Sequence, residues 1–246
     1  GGSAGCALAA RLAENSKISI CLIEAGGKGQ DLFIKMPAGN GFVFGNPKLD
    51  WGYSTVPQKS LDNRSIYLAR GKALGGSSIV NGMMYMRGVP ADYAQWRQRG
   101  LPGWSHAELL PYFKRAEGAK HREGPYHGTS GPLKIEQSVN FGVLDKAFIK
   151  AAIASGHTQL NDFNADGRTG VGRSDSTVSR GVRQSSAIAY LKKRHRNLKV
   201  LTHRHISKIV FEQKRAIGIE TTNGDFIQAK REVIVCQGAF GTPHLL

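Results

Sequence analysis

An α/β fold with a parallel sheet, interrupted by an inserted α+β unit, is what this sequence predicts, and three observations carry it. The chain opens on Gly1-Gly2-Ser3-Ala4-Gly5, the small-residue start of a helix. That helix leads into residues 17–23 (KISICLI), a buried-type strand ending at Glu24-Ala25-Gly26-Gly27. Near the far end, residues 232–236 (EVIVC) form a short β-branched run of the parallel-sheet type, which opens into Gly238-Ala239. A strand, a Gly-rich turn, a helix, a second strand and an acid at its end are the parts of a Rossmann-like dinucleotide fold. All but the first strand are present, so the chain reads as beginning inside the motif.

The other elements follow in order. Residues 4–14 are helical by composition, with Leu8 and Leu12 one turn apart and alanines that allow close approach to a sheet. Residues 28–70 are long, rich in Gly, Pro and Asn and weakly periodic, which predicts an extended loop over a scaffold. Two helices are expected over 92–99 and 106–117, the second with Ser105 as N-cap and Leu109, Leu110, Tyr112 and Phe113 on one face. From Gly131 the character changes. A short strand (132–135), a helix containing 148–154 and a turn-rich stretch (161–172) predict a second domain over about 131–182. Residues 185–194 read as a helix leading to strands at 198–202, 206–213 and 216–222. Asn223-Gly224 is a hairpin signal, because both residues tolerate positive φ, and 226–229 pairs back. The expected domains are therefore 1–130, 131–182 and 183–246, the first and last forming one α/β domain.

Composition narrows the function classes. The 246 residues are 40% hydrophobic, enough to bury a core. The formal charge of +16, from 34 Lys plus Arg against 18 Asp plus Glu, raises nucleic acid as a partner. Against it, the basic residues are spread along the chain; the one dense run, Lys192-Lys193-Arg194-His195-Arg196, lacks interleaved aromatics and reads as the last turn of a helix, where cations complement the dipole. Cys6, Cys21 and Cys236 have no CxxC spacing and read as reduced structural thiols. No stretch approaches the roughly 18 apolar residues of a membrane span. His203 and His205 are spaced to share one face of a strand, but without a third ligand no metal is expected. His106, His121, His127, His157, His195 and His244 read as ordinary polar positions.

Two runs carry chemistry. In the first, Gly2 lets the backbone approach a pyrophosphate, Gly5 lets the helix close on its strand, and the helix start at Ser3 and Ala4 offers free N–H groups. Glu24 at the end of the next strand selects a free ribose hydroxyl over a 2′-phosphate. The second run is Arg70-Gly71-Lys72-Ala73-Leu74-Gly75-Gly76-Ser77-Ser78-Ile79-Val80-Asn81-Gly82-Met83-Met84-Tyr85. Its glycines, serines and Asn-Gly make a loop that can lay its backbone against a flat ligand. This run resembles the first signature of the glucose-methanol-choline oxidoreductases, flavoenzymes that oxidise alcohols. Tyr85-Met86-Arg87-Gly88, Asp92-Tyr93 and Trp96 continue in the style of choline dehydrogenase-like and aliphatic alcohol dehydrogenase-like members. Asp50-Trp51-Gly52-Tyr53 with Thr55, Pro57 and Gln58, then Arg183 to Ala187 with Tyr190 and Leu191, and finally Gly238 to Leu246, resemble further family segments, so the likeness covers nearly the whole chain.

The resemblance implies an FAD-binding domain with an inserted substrate domain. FAD would be held by Gly2, Ser3, Ala4, Gly5, Glu24 and Ala25 on the adenosine side, with Ile206 meeting the adenine through its backbone. Arg70, Gly71, Leu74, Gly75, Gly76 and Ser77 would contribute from the second run, Asn81, Gly82, Met83 and Met84 would lie against the flavin ring, and Gly238 and Ala239 would complete the site. Where some relatives carry a histidine that bonds FAD covalently, this sequence has Val80, so the flavin is expected to be non-covalent. The family reaction is oxidation of a primary alcohol to an aldehyde, by hydride transfer to flavin N5 with help from a histidine base. That residue is expected beyond Leu246, so no catalytic residue and no metal ligand is assigned in this chain. The isolated chain is accordingly expected to bind FAD weakly and to be inactive. The resemblance further implies a small-molecule alcohol as substrate, a quinone, dye or O2 as electron acceptor, no nucleic acid, and a location in the cytoplasm or peripheral to the inner membrane. Two other readings remain: another FAD- or NAD-binding oxidoreductase sharing only the dinucleotide fold, and a non-catalytic basic binding module.

Overall fold

A computed structural model describes residues 1–137, 141–165, 169–193 and 195–246. The chain separates into two compact units, Gly1–Asn81 with Ser185–Leu246, and Gly82–Gln184. Helix α1 (Ser3–Leu12) starts at an extended N-cap glycine, Gly2, and buries Gly5, Cys6, Ala9 and Ala10, the small residues that permit close packing. Strand β1 (Ile20–Ile23) pairs in parallel with the Leu198–Leu201 strand, Ile20 opposite Leu198 and Ile23 opposite Leu201. Cys6, Ala9, Leu22 and Leu74 form the core between them, with Ile20, Ala187, Leu191 and Leu198 packed around it. The side-chain amide of Asn197 ties the α1 to β1 connection down by donating to the carbonyls of Asn15 at 2.9 Å and Ile18 at 2.8 Å.

The predicted meander is present as Ile206–Glu212, Arg215–Thr221 and Phe226–Gln228, all antiparallel. Its second turn closes with Gly224 at φ 83° and the Thr221 N–H on the Asp225 carbonyl at 3.0 Å. Residues 232–236 do not form the expected strand; they make no ladder and run into the Gly238–Leu245 helix. A β-branched run becomes a strand only against a neighbour's free N–H and C=O groups. Among the described residues β1 has a partner on one side only, and none pairs with 232–236. His203 and His205 likewise lie in the loop after Leu201, with His203 at φ 56°, and not on a strand face. The helix expected over 185–194 is shorter, Ser186–Tyr190, capped by the Ser185 hydroxyl, which accepts the Ile188 N–H; Arg194, in the basic run, lies outside the described residues.

The segment over 28–70 is more ordered than an extended loop. Asp31 caps a short helix (Leu32–Lys35) by accepting the Phe33 N–H at 2.8 Å. Ile34 and Val43 then bury themselves against Ala73, Ile79 and Val80. Tyr53–Ser54 and Tyr67–Leu68 form a small antiparallel pair.

The second unit contains the expected helices as Pro90–Gln98 and His106–Ala116, and a longer one at Val143–Ala154. Ser105 caps the second helix and Glu108 reaches back to the Ser105 N–H at 3.0 Å, a reciprocal capping box. Asp175–Ser176 lies between Met84–Tyr85 and Glu136–Gln137 in a three-stranded antiparallel sheet. The sequence placed residues 82–130 with the α/β domain; in the structure they pack with 131–184, where side-chain pairs such as Arg122–Asp175 and His127–Asp162 tie the two stretches together. Part of the turn-rich stretch, 166–168, lies outside the described residues.

Candidate cofactor-binding site

The site is built in the first unit, where three glycine-bearing segments converge. The Gly75 N–H donates to the Gly1 carbonyl at 2.8 Å, and Gly76, at φ 52°, lies so close to the first turn that an added Cβ would stand 2.6 Å from Gly2 Cα. A Cβ on Gly26 would fall on the Lys72 carbonyl, and one on Gly71 on the Gly76 carbonyl. Backbone therefore packs on backbone, and only glycine fits. The Leu74 N–H on the Gly27 carbonyl (3.0 Å) and the Ser3 hydroxyl on the Gly75 carbonyl (3.3 Å) fasten the second glycine loop to both neighbours. Across the same edge, the N–H groups of His203 and Arg204 donate to the carbonyls of Gly26 and Glu24, each at 2.9 Å. Ile206, the first residue of the meander, follows two positions later.

The electrostatics suit an anion beside a hydroxyl donor. No side chain caps α1 and no acid lies in its first turn, so the N–H groups at its start keep their positive potential. Glu24 is 8% exposed; one carboxylate oxygen accepts the Gly26 N–H at 2.8 Å and the other lies 3.3 Å from the Gly1 amino group. Each oxygen keeps a lone pair for a further donor, which is what a ribose hydroxyl requires. Cys6 plays no chemical part: burial raises its thiol to about 11, and its sulfur sits 3.0 Å from the Gly1 carbonyl.

Arg70 lies at the rim with its guanidinium 4.6 Å over the Phe240 ring, which brings the start of the Gly238–Leu245 helix beside the second run. Gly238 has φ 76° and, like Ala239, is exposed. The sequence-predicted residues Gly2 to Gly5, Glu24, Ala25, Arg70, Gly71, Leu74, Gly75, Gly76, Ser77, Asn81, Ile206, Gly238 and Ala239 all belong to this unit. Gly82, Met83 and Met84 belong to the other. There Met83 takes φ 60° and its carbonyl accepts the Thr177 N–H at 2.7 Å, while Met84, opposite Ser176, is 64% exposed. Val80 is buried against Ile34 and Val43.

Sequence reasoning missed a set of buried charges in the second unit. Glu117 is fully buried and accepts from Arg87 at 2.7 Å, from the Gly128 N–H at 2.7 Å and contacts His127 Nδ1 at 3.0 Å; Asp162 meets the other ring nitrogen at 2.6 Å. Asp175, equally buried, is bridged by Arg122 through two 2.9 Å bonds and by His121 at 2.9 Å. Burial pushes the Asp175 carboxyl up, but Arg122 and His121 outweigh it and hold it below the usual carboxylate range. His121 and His127 are therefore structural bridges rather than ordinary polar positions.

A parallel strand pair, an uncapped glycine-led helix, an acid at the strand end and a second glycine loop define a dinucleotide-binding α/β domain. The chain belongs to the GMC oxidoreductase family, whose model matches residues 1–246. It is 41% identical over 249 residues to an oxygen-dependent choline dehydrogenase of Rhizobium etli and 39% identical over 252 residues to one of Photobacterium profundum; these matches cover 100% of this chain and 45% and 44% of those proteins. Pyridoxine 4-oxidase from Mesorbium loti superposes with a TM-score of 0.93 at 34% identity, covering 99% of this chain and 49% of that one. A formate oxidase of Aspergillus oryzae superposes with a TM-score of 0.88 at 28% identity, covering 99% and 45%. The chain thus spans about half the length of the relatives it matches. FAD is the cofactor to which the family and these neighbours point, and the glycine cradle with Glu24 fits it. No group of three or more potential metal ligands occurs among the described residues, nor is any helix there long and apolar enough to cross a membrane.

Proposed function

We propose that the protein containing this chain is an FAD-dependent oxidoreductase that oxidises a primary alcohol to an aldehyde, and that this chain supplies the adenosine-side half of its cofactor site. The observation that carries the reading is the direct packing of Gly75-Gly76 on Gly1-Gly2 beside Glu24. When bound, FAD supplies a two-electron acceptor. The residues of this chain bind and orient it. The start of α1 meets the pyrophosphate with free N–H groups, Glu24 accepts from the ribose, and Ile206 approaches the adenine through its backbone. Ala25, Arg70, Gly71, Leu74, Ser77, Gly238 and Ala239 would line or brace the cradle, and Asn81 to Met84 are the residues that would lie against the flavin ring. A small alcohol, with a quinone, dye or O2 as acceptor, is the reaction partner, and choline dehydrogenase and pyridoxine 4-oxidase among the relatives support an alcohol-bearing substrate. Val80, buried in an apolar cluster, offers no atom for a covalent link, which supports dissociable flavin.

The test is the visible spectrum of the protein expressed from its complete reading frame. A yellow protein whose flavin passes into the supernatant on acid precipitation, and which reduces a dye when given choline or another primary alcohol, is the expected result. A colourless protein that retards DNA in moderate salt would sink the reading in favour of a basic binding module.

A further inference from the structure

The structure assigns to Asp50 the role of a positioning residue for the cofactor, one that sets the path of Arg70–Lys72 and thereby the placement of the second glycine loop on the first. This inference rests on the FAD reading above. Asp50 is 3% exposed and lies outside the cradle, yet its carboxylate is saturated. One oxygen accepts the Gly52 N–H at 3.1 Å and the Arg70 N–H at 3.0 Å; the other accepts the Gly45 N–H at 3.0 Å and the Tyr67 hydroxyl. An ionised carboxylate has about four acceptor positions, and all four donors come from separate points of the loop between the two glycine segments.

The backbone on either side continues the bracing. Asp50 and Gly71 form an antiparallel bridge, the Trp51 N–H donates to the Arg70 carbonyl at 2.9 Å, and the Lys72 N–H donates to the Leu49 carbonyl at 2.8 Å. Lys72 then holds its ammonium 5.0 Å from the centre of the Trp51 ring. The residues fixed in this way are the ones that meet the rest of the site: the Lys72 carbonyl fills the space a Gly26 side chain would need, and Gly71 abuts the Gly76 carbonyl. A shift at Arg70–Lys72 is therefore passed to Gly75-Gly76 through Ala73 and Leu74, both buried, with the Leu74 N–H held on the Gly27 carbonyl.

An acid, and not its amide, is needed here. Asparagine would present two N–H donors to two of the four incoming donors, so Asp50→Asn replaces attraction with donor-against-donor contact, whereas Tyr67→Phe removes one donor to Asp50, together with the acceptor that the Gly45 N–H meets at 2.7 Å, and leaves the Asp50 bonds to Gly45, Gly52 and Arg70 in place.

The experiment measures FAD affinity by quenching of flavin fluorescence, and hydrogen exchange at the amides of residues 70–76, in flavin-free and loaded protein from the complete reading frame. FAD binding is expected to weaken about tenfold in Asp50→Asn and about threefold in Tyr67→Phe, on the scale of hydrogen bonds to a charged acceptor. Exchange at 70–76 in the flavin-free variants is expected to quicken, while exchange in the Ile206–Glu212 strand stays at the parent's rate. If Asp50→Asn does not fold, Tyr67→Phe alone decides the matter. Parent-like FAD affinity and parent-like exchange at 70–76 in Tyr67→Phe overturn the proposal while leaving the FAD reading intact. A parent protein that holds no FAD overturns that reading and takes this proposal with it.

Discussion

The two units hold themselves together by opposite means. In the first, the decisive contacts are between main chains with no side chain interposed, as at Gly76 on Gly2 and Gly26 on Lys72. In the second, they are between buried charges on long side chains, Arg87 with Glu117 and Arg122 with Asp175. A backbone cradle tolerates no added atom but asks little of its surroundings; a buried ion network accepts substitution poorly because each charge removed strands its partner. A pyrophosphate held by main-chain N–H groups needs the first kind of accuracy. A unit with short strands and a modest apolar core needs the second to fix its loops.

The largest expected effect tests the charged unit. Glu117→Ala leaves Arg87 and His127 without their shared carboxylate at a site where Glu117 is fully buried, and it should cost about 3–5 kcal/mol, read as a fall in the urea midpoint. A loss no greater than a surface substitution would show that the network is not what secures this unit. Next comes Gly76→Ala in the cradle. A Cβ at φ 52° standing 2.6 Å from Gly2 Cα should destabilise by about 1–3 kcal/mol and weaken FAD binding out of proportion to the drop in melting temperature. Equal FAD affinity in that variant would break the link between main-chain fit and cofactor binding.

Both effects bear on what could be seen in the sequence. The α1 start, the Ser105 cap and the Asn223-Gly224 turn were legible because each is decided by neighbours a few positions away. The glycine runs were legible for a related reason: glycine's tolerance of positive φ and close approach is written in the residue itself. His127 was not legible, since its partners Glu117, at the end of the His106–Ala116 helix, and Asp162 stand 10 and 35 positions off, and no periodicity announces their meeting. The run at 232–236 shows the converse error. Its composition is that of a strand, but composition supplies no pairing neighbour, and the ladder is not made.

The smallest expected effect distinguishes the units by acid. Asp175 titrates below the usual carboxylate range in the folded state, so its contribution to stability is fully present above the unfolded value near pH 4 and is lost as pH falls through the lower folded value. Urea unfolding of the parent and of Asp175→Asn between pH 7 and pH 3 should show two curves that are parallel at neutral pH and converge only at the acid end. A gap that closes already at pH 6 would show that the Asp175 carboxyl titrates above, and not below, the usual carboxylate range.

The pairing of β1 with the Leu198–Leu201 strand has a consequence for how the molecule is made. The first unit is discontinuous, interrupted by the whole of Gly82–Gln184. β1 cannot pair with the Leu198–Leu201 strand until the chain has been synthesised past Leu201. If the intervening unit folds first, it shortens the effective loop that β1 must close. On that order of folding, variants that weaken the charge network of the intervening unit should slow the formation of the glycine cradle, a delay that refolding kinetics would show.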